Sequence, residues 1–425
     1  MRTADLILYS GNEYRDLVDM VLAAAEGEDD RCAYIAGRLV AFAAENGFGG
    51  NLWHALLAYV IATDENAFSM ACEIRGKTRG SINDIAFHDM AIFREWFGID
   101  ISSIGADGIF GILADYKSTG EKSCVFNKRI RDEILELGEK LASAQSTGSF
   151  KAAAEDFYGH YGVGRFGLHK AFRVKTVDEQ TVIYPVKNIE HVYLDDLVGY
   201  QIQKKKLIDN TEAFVAGREA NNCLLFGDSG TGKSSSIKAV LHRYYDRGLR
   251  MIEVYKYQFK DLQSIIAQVK NRNYRFIIYM DDLSFEEYEV EYKYLKAMIE
   301  GGLEQKPENV LIYATSNRRH LIRENHGDKH EGEDELHHSD TVQEKLSLAS
   351  RFGVTIYYGR PEPKEFRQIV ITLARRAGID MPEDELMLEA NKWELSHGGI
   401  SGRTAVQFVT YLKGTRLAEG SSSSS

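Results

Sequence analysis

An eight-residue string of glycines, small polar residues and one lysine has the composition of a phosphate-binding loop. Residues 227–234 match the pattern GxxxxGK[ST] at every fixed position, after an apolar run and before an amphipathic stretch. Glycines let such a loop curl so that its N–H groups point inward, and a following helix adds positive partial charge. Lys233 is then expected to bridge terminal phosphates and Ser234 to hold Mg²⁺. The predicted contacts are Asp228, Ser229, Gly230, Thr231, Gly232, Lys233, Ser234 and Ser235.

Two acids follow an apolar, strand-length run at residues 276–280. A buried strand that ends beside the phosphate loop would place Asp281 to hold Mg²⁺ through water. Asp282 would then polarise an attacking water. The alternative is a strand that ends in a solvated acidic turn.

Three further polar side chains complete a candidate site for phosphoryl chemistry. Asn317 ends another apolar run and could hydrogen-bond a terminal phosphate or the attacking water. Arg351, just before the last predicted strand, could reach a phosphate and stabilise transition-state charge, or simply cap a helix C-terminus. Arg403 starts the last predicted helix and could swing over a bound nucleotide, or remain solvated.

The first 170 residues are predicted to form an all-helical domain. All five prolines of the chain fall after residue 184, so this region lacks the strongest helix breakers. Apolar residues recur with helical spacing. The predicted helices span residues 14–25, 31–46, 51–62, 82–97 and 127–141.

Residues 171–360 alternate strand-length apolar runs with helical stretches, which predicts a five-stranded parallel sheet sandwiched by helices. The predicted strands are 223–226, 251–255, 276–280, 310–315 and 354–358, and the helices between them are 234–247, 260–270, 290–300 and 341–350. Two shorter strands, 172–175 and 181–186, are expected to form a β-hairpin linker before this core.

The region after Pro361 and Pro363 contains no strand pattern. Residues 364–377, 383–395 and 402–412 have helical spacing and predict a C-terminal helical lid over residues 361–415. The serine-rich residues 416–425 are expected to be a flexible tail.

Composition narrows the class of protein. Hydrophobic residues make up 44% and charged residues 27% of the 425-residue chain, which indicates a globular protein rather than a disordered one. The longest apolar run, residues 53–63, falls far short of the roughly 20 residues that a membrane span needs. The four cysteines lack paired spacing, so we expect free thiols and a cytoplasmic protein. A net charge of −11 disfavours wide, non-specific binding to nucleic acid.

The order of these elements resembles the AAA+ ATPases, and more closely one bacterial AAA+ family filed as domain of unknown function 815. The resemblance covers roughly residues 170–412. It is carried by Leu197-Val198-Gly199-Tyr200, Asn210-Thr211-Glu212-Ala213-Phe214, residues 221–228, residues 280–286, Ala314-Thr315-Ser316-Asn317, residues 318–321, residues 344–353 and Ser401-Gly402-Arg403.

This resemblance implies a role for each matching residue. Lys233, Ser234 and Asp281 would bind ATP and Mg²⁺. Asn317 would take the first sensor position and Arg403 the second. Arg351 would be an arginine finger that acts on the nucleotide of a neighbouring subunit, which implies a homo-oligomeric ring or filament. Val198, Gly199 and Tyr200 would lie against adenine.

One departure from the general AAA+ pattern concerns hydrolysis. Most AAA+ enzymes have Glu after the magnesium-binding Asp, whereas this chain has Asp282, which is one methylene shorter. Hydrolysis could therefore be slow, or Glu286 or Glu287 could assist.

Three functions remain open at this point: an ATPase that remodels or recruits a protein partner through residues 1–170, a nucleic-acid-associated loader or initiator-like ATPase, and a slow ATP-dependent switch.

Four other sequence patterns give weaker predictions of function. Residues 162–167 match GxGxxG but follow a helical stretch rather than a strand, so a connector is favoured over a dinucleotide site. The histidines and acids of residues 324–338 suggest either a metal site or, with better support, a solvated loop. The basic runs 204–206 and 318–320 could touch nucleic acid or form solvated faces. Residues 257–259 contain aromatics without a glycine, which gives little support for threading a polypeptide.

Overall fold

The structure is a computed structural model that describes residues 2–105, 108–118, 128–186, 189–190, 192–285, 289, 291–300, 307–317 and 348–422. The chain divides into two compact units. The first unit comprises Met1–Lys170 and Pro185–Asn188, and the second comprises Ala171–Tyr184 and Ile189–Ser425.

The first unit is helical over its described residues. Its α-helices are α1 (Arg15–Ala25), α2 (Cys32–Asn46), α3 (Leu52–Thr63), α4 (Ala67–Arg75), α5 (Ile82–Phe97), α6 (Ile109–Ala114), α7 (Lys128–Ala142), α8 (Thr147–Tyr161) and α9 (Gly164–Leu168). The five helices predicted from apolar spacing are confirmed as α1, α2, α3, α5 and α7. The short helices α4, α6 and α9 were not predicted, because few turns give little periodicity to detect. Helix α8 was expected only as a helical stretch before residue 162, without bounds.

Helix α3 lies in the core of this unit. It is apolar on every side, and all of its residues from Leu52 to Ala62 except His54 are buried. The Asn51 side chain caps it by accepting hydrogen bonds from the N–H groups of Trp53 and His54. The indole N–H of Trp53 donates to the carbonyl of Trp96 at the end of α5 (2.7 Å), so the core is fixed by directional contacts as well as by burial.

The second unit is built on one mostly parallel sheet. Its strands are β1 (Ala171–Val177), β2 (Gln180–Pro185), β3 (Cys223–Gly227), β4 (Leu249–Glu253), β5 (Arg275–Met280), β6 (Val310–Ser316) and β7 (Val354–Tyr358). Their order is β2-β1-β4-β5-β6-β3-β7. The predicted five-stranded parallel sheet is confirmed as β4-β5-β6-β3-β7, in which neighbouring strands are parallel.

The hairpin expected as a linker is part of this sheet, which therefore has seven strands among the described residues. Strand β1 pairs in parallel with β4, with Phe172 opposite Ile252. Asp178 and Glu179 form the turn with φ values of 47° and 63°, the left-handed pair that a two-residue hairpin turn needs. The pairing with β4 joins residues about 80 positions apart, which a local pattern cannot reveal.

Helices cover the sheet. Helix α10 (Gln201–Val215) was not predicted, whereas α11 (Lys233–Tyr244), α12 (Leu262–Val269) and α13 (Glu291–Glu300) lie where the alternation predicts helices. Leu207 and Phe214 of α10 and Ile237 and Val240 of α11 share one core cluster with apolar side chains of β3 and β5. The predicted helix 341–350 lies outside the described residues apart from 348–350.

Three helices follow the sheet and form the lid. They are Pro363–Arg376, Glu383–Ser396 and Gly402–Ser422, called the first, second and third lid helices below. Phe366, Val370, Ala390 and Phe408 lie in the core of the lid. The third lid helix continues to Ser422, into the segment expected to be a tail, where Leu417, Ala418 and Glu419 favour helix.

Two features of the described residues concern membrane spans and the state of the cysteines. Within the described ranges, every helix is too short or too polar to cross a membrane. Cys32, Cys72 and Cys223 are free thiols, and the last two are buried. Cys124 lies outside the described residues.

Candidate functional site

The phosphate-loop motif forms the connection between β3 and α11. Gly227, Gly230 and Gly232 have φ values of 132°, 76° and 90°, which residues with a side chain rarely adopt. A Cβ atom at Gly227 would lie 2.2 Å from the carbonyl oxygen of Tyr358 in β7. The sequence therefore needs glycine here because the loop starts against a neighbouring strand.

Lys233 is the first residue of α11, and its ammonium group lies under the loop. Its Nζ donates to the carbonyl oxygens of Gly227 (3.0 Å) and Asp228 (2.6 Å) and to Oδ1 of Asn317 (2.9 Å). Burial lowers the pKa of this ammonium, while the charges of Asp282, Asp228 and Asp281 oppose that shift. The ammonium group is thus held between loop carbonyls and Asn317, close to the N-terminus of α11, where an anion is favoured.

Ser234 and Asp281 meet beside this loop. The Ser234 hydroxyl donates to Oδ1 of Asp281 (2.7 Å), and the Thr315 hydroxyl donates to the same oxygen (2.6 Å). Burial acts to raise the pKa of Asp281, but these hydrogen bonds outweigh it and lower the pKa below its usual value. The carboxylate is therefore ionised and lies next to a hydroxyl, and such oxygen donors are the ligands that Mg²⁺ prefers.

Thr315 also fixes the second acid. Its Oγ1 accepts the backbone N–H of Asp282 (2.9 Å), and its carbonyl accepts the N–H of Leu283 (2.6 Å). Asp282 has a φ of 51°, so the chain turns sharply after β5 and directs the two acids differently. Thr315 belongs to β6, the strand beside β5, so the pairing of these strands positions both acids.

Asn317 links the lysine to the second acid. Its Oδ1 accepts from Lys233, and its Nδ2 donates to Oδ1 of Asp282 (2.7 Å). Asn317 directly follows β6, which lies between β3 and β5 in the sheet. The carboxyl ends of three adjacent parallel strands therefore bring together Lys233, Asn317 and Asp282.

The lid contacts the phosphate loop directly. The N–H of Arg403 in the third lid helix donates to the carbonyl of Gly230 (3.1 Å). A Cβ atom at Gly230 would lie 3.0 Å from Oγ of Ser401, and one at Gly402 would lie 3.2 Å from the Gly230 carbonyl oxygen. Because the two backbones are in contact here, a change in the conformation of the phosphate loop can displace the lid.

A cavity of about 670 Å³ lies between the sheet and the lid, which is room for a mononucleotide. Its polar end holds the side chains just described. Its other end is largely apolar and includes Leu197, Val198, Tyr200, Ile369 and Leu373. The predicted residues that line it are Val198, Tyr200, Ser229, Gly230, Thr231, Gly232, Lys233, Ser234, Ser235, Asp281, Asp282, Asn317 and Arg403.

Two contacts fix the position of Tyr200 at the apolar end of the cavity. Its hydroxyl donates to the carbonyl of Gly359 (2.9 Å), and its ring lies 5.1 Å from that of Tyr358. Val198 packs against the apolar core of the lid. This end of the cavity therefore has one wall from the segment before α10 and one from the lid.

Three predicted site residues do not line the cavity. The Asp228 carboxylate accepts the backbone N–H of Arg360 (3.0 Å), so this side chain is turned toward the strand end after β7. Gly199 supplies a positive φ of 84° before α10. Arg351 lies in the turn before β7, outside the cavity of its own chain.

The basic run at residues 204–206 is not a uniformly solvated face. Lys204 is buried, and its Nζ donates to the carbonyls of Leu197 (2.7 Å) and Leu194 (3.4 Å). Lys205 and Lys206 are exposed. The second basic run, 318–320, and the histidine-rich residues 324–338 lie outside the described residues, as do Glu286 and Glu287.

Two other patterns have simple structural explanations. Gly162 ends α8 and Gly164 starts α9, so the GxGxxG string joins two helices. Of the aromatic residues 257–259, Phe259 is buried and Tyr257 is 70% exposed.

Sequence reasoning missed two residues of the site, Thr315 and Lys204. The string Ala314-Thr315-Ser316-Asn317 contains the first without marking its role. No local signal distinguishes the second, because its partners are backbone carbonyls.

The phosphate loop follows β3, the two acids follow β5, and β6 lies between these strands and ends beside Asn317. Together with the helical lid, this arrangement defines the fold of the AAA+ P-loop NTPases. The chain belongs to the family described as "Protein of unknown function (DUF815)", whose model matches residues 167–416.

Solved structures with a similar fold include two AAA+ proteins. The RuvB Holliday junction branch migration motor of Thermotoga maritima is 16% identical, with a TM-score of 0.36, over 52% of this chain and 63% of that chain. The AAA domain of FIGL-1 in complex with ADP is 17% identical, with a TM-score of 0.38, over 55% and 76%. The chain thus spans less than two thirds of the length of RuvB. No curated protein matches it.

Proposed function

We propose that this protein binds ATP with Mg²⁺ in the cavity between sheet and lid and hydrolyses it to remodel or recruit a macromolecular partner. The observation that carries this proposal is the linked set of contacts from Lys233 through Asn317 to Asp282. A lysine under a glycine loop, an amide and a carboxylate in hydrogen-bond contact form a site for a terminal phosphate and an attacking water.

The polar end of the cavity suits a triphosphate. Lys233 would exchange its contacts with loop carbonyls for phosphate oxygens, while the N-terminus of α11 offers backbone N–H groups. Ser234 and Asp281 would hold Mg²⁺, and their hydroxyl and carboxylate oxygens fit that ion. Bound Mg²⁺ supplies neutralisation of the phosphate charge.

The remaining polar side chains have separate roles in hydrolysis. Asp282 would accept a hydrogen bond from the attacking water, and Asn317 would position that water or the terminal phosphate. Arg403 would approach the phosphates from the lid. Arg351 would act in a neighbouring subunit, which its place outside its own cavity supports.

The three parts of the chain would then have different roles. Residues 171–360 would form the nucleotide-binding core and residues 361–415 the lid, whose angle changes with the nucleotide. Residues 1–170 would recruit the partner. The proposed setting is the cytoplasm, which supplies ATP and agrees with the free thiols Cys32, Cys72 and Cys223.

The proposal is tested by ATP hydrolysis per mole of protein at rising protein concentration. Specific activity should climb as subunits assemble, and Arg351→Ala should abolish the climb because the finger acts between subunits. Lys233→Ala is the blank.

ADP binding to Arg351→Ala should match the parent protein, which separates a lost finger from a lost fold. Activity that stays at the level of the blank, with no binding of ATP, would overturn the proposal.

A second candidate, the slow ATP-dependent switch, is supported by the geometry of Asp282. Its short carboxylate is engaged by Asn317 (2.7 Å), which leaves it less free to activate water. We expect Asp282→Glu to raise turnover about tenfold, despite a cost of about 1 kcal/mol for the left-handed backbone. Steady-state hydrolysis with Asp282→Asn as the matched control decides it, and unchanged turnover in the Glu variant would exclude this candidate.

A further inference from the structure

A short segment of the cavity wall, residues 194–197, is held through its backbone. The Nζ of Lys204 in α10 donates to the carbonyl of Leu197 (2.7 Å) and reaches that of Leu194 (3.4 Å). Lysine is seldom buried unless its charge is paired or fully hydrogen-bonded, and burial lowers the pKa of this one. Two backbone carbonyls therefore stabilise this buried ammonium, and the segment is tied to α10.

A second cation holds the two carbonyls in between. Arg376, the last residue of the first lid helix, donates from its guanidinium to the carbonyl of Asp195 (2.7 Å) and to that of Asp196 (3.2 Å). The Asp196 carboxylate lies 3.8 Å from the same guanidinium. Four consecutive carbonyls are thus held by two side chains, one from the core and one from the lid.

The segment lies at the apolar end of the cavity. Asp196 and Leu197 line it, as does Lys204, and Val198 continues the wall into the lid core. Leu197 also approaches the phosphate loop, since its Cδ2 lies 3.8 Å from the position of a Cβ atom at Gly232. The carbonyls that Arg376 holds, those of Asp195 and Asp196, precede this contact. We therefore expect a displacement of these two residues to affect an occupant of the apolar end more than a phosphate.

We propose that Arg376 is a positioning residue that couples the base end of the nucleotide site to the lid, by holding segment 194–197 in place only while the lid keeps its present position. This inference rests on the proposed nucleotide-binding function. It gives the lid a second connection to the nucleotide, separate from the contact of Arg403 with Gly230. Because the coupling is reciprocal, a base whose binding depends on the position of segment 194–197 would also stabilise the present position of the lid.

The first experiment measures the affinity of ADP, without Mg²⁺, by calorimetry. Arg376→Gln should weaken ADP binding about fivefold, since hydrogen bonds to a half-exposed charge are lost. Arg376→Lys should fall between the two. Tripolyphosphate, which has no base, should bind the Gln variant as well as it binds the parent protein.

The matched control is Arg367→Gln. Arg367 lies on the same lid helix with similar exposure, and its partners Glu383 and Asp384 belong to the lid. This variant should bind ADP like the parent protein. Equal ADP affinity in parent and Arg376→Gln, or an equal loss of tripolyphosphate binding, would overturn the inference.

The second experiment uses protein without nucleotide. Amide hydrogen exchange in residues 192–200 should become at least threefold faster in Arg376→Gln and stay unchanged in Arg367→Gln. Unchanged exchange in Arg376→Gln would overturn the coupling. If the parent protein binds no nucleotide at all, the proposed function fails, while this measurement still decides whether Arg376 holds the wall.

Discussion

The hydroxyl group of Thr315 forms hydrogen bonds with two acidic residues of the site. It donates to Asp281 and accepts from the backbone of Asp282. Replacing it with valine keeps the shape but removes both contacts. We expect Thr315→Val to lower the kcat of ATP hydrolysis about 30-fold, a loss of about 2 kcal/mol, while ADP binding without Mg²⁺ stays within twofold.

Thr315→Ser provides the matched control, because it retains the hydroxyl and loses only a methyl group. It should restore most of the turnover in the same steady-state assay. A serine variant as slow as the valine variant would mean that the methyl group, and so packing, is what matters.

The sequence predicted much of the site from strand ends. Lys233 and Ser234 follow from the loop pattern, and Asp281, Asp282 and Asn317 follow because parallel strands end at one edge of a sheet. Positions that depend on distant backbone were out of reach.

Lys204 illustrates the limit. Its basic neighbours suggested solvent or nucleic acid, whereas the fold buries it against carbonyls of residues 194–197.

The phosphate loop depends on contact with β7. Gly227 has a φ of 132° and no room for a Cβ atom, because such an atom would clash with the backbone carbonyl of Tyr358. We expect Gly227→Ala to lower the free energy of unfolding of the second unit by more than about 3 kcal/mol, measured by denaturant titration.

Gly414→Ala is the control for that experiment. Gly414 lies in the third lid helix with nothing near its Cβ position, so alanine should stabilise the helix by about 0.5–1 kcal/mol. Equal stabilities of the two variants would contradict the tight approach of loop and strand.

The sequence predicted the elements better than their connections. The alternation of apolar runs and helices defined the parallel sheet, and the turn at Asp178 and Glu179 defined the hairpin. The attachment of β1 to β4 was not predicted, because a strand pattern carries no information about its partner.

Each of the two compact units contains a buried thiol. Cys72 lies in the first unit and Cys223 on β3 in the second, and burial raises the pKa of Cys72 to about 12 and that of Cys223 well above its usual value. Thiolates are the reactive form, so both should label slowly in native protein at pH 8. Cys32, which is partly exposed, should label before Cys72 and Cys223.

Nucleotide should separate the two buried thiols. We expect saturating ADP to slow the alkylation of Cys223 at least fivefold, because binding stabilises the unit that contains the phosphate loop. Labelling of Cys72, read by peptide mass spectrometry in the same sample, should not change. Equal protection of both thiols would mean that the two units open together.

The β1–β4 pairing also determines where the chain can be cut. A fragment that begins after Pro185 would lose β1 and β2 and leave the outer backbone groups of β4 without their partners. The unpaired backbone groups of such an edge strand can pair with strands of other molecules. We therefore expect this fragment to precipitate. A recombinant fragment of the second unit should therefore begin before Ala171, so that β4 keeps its neighbouring strand.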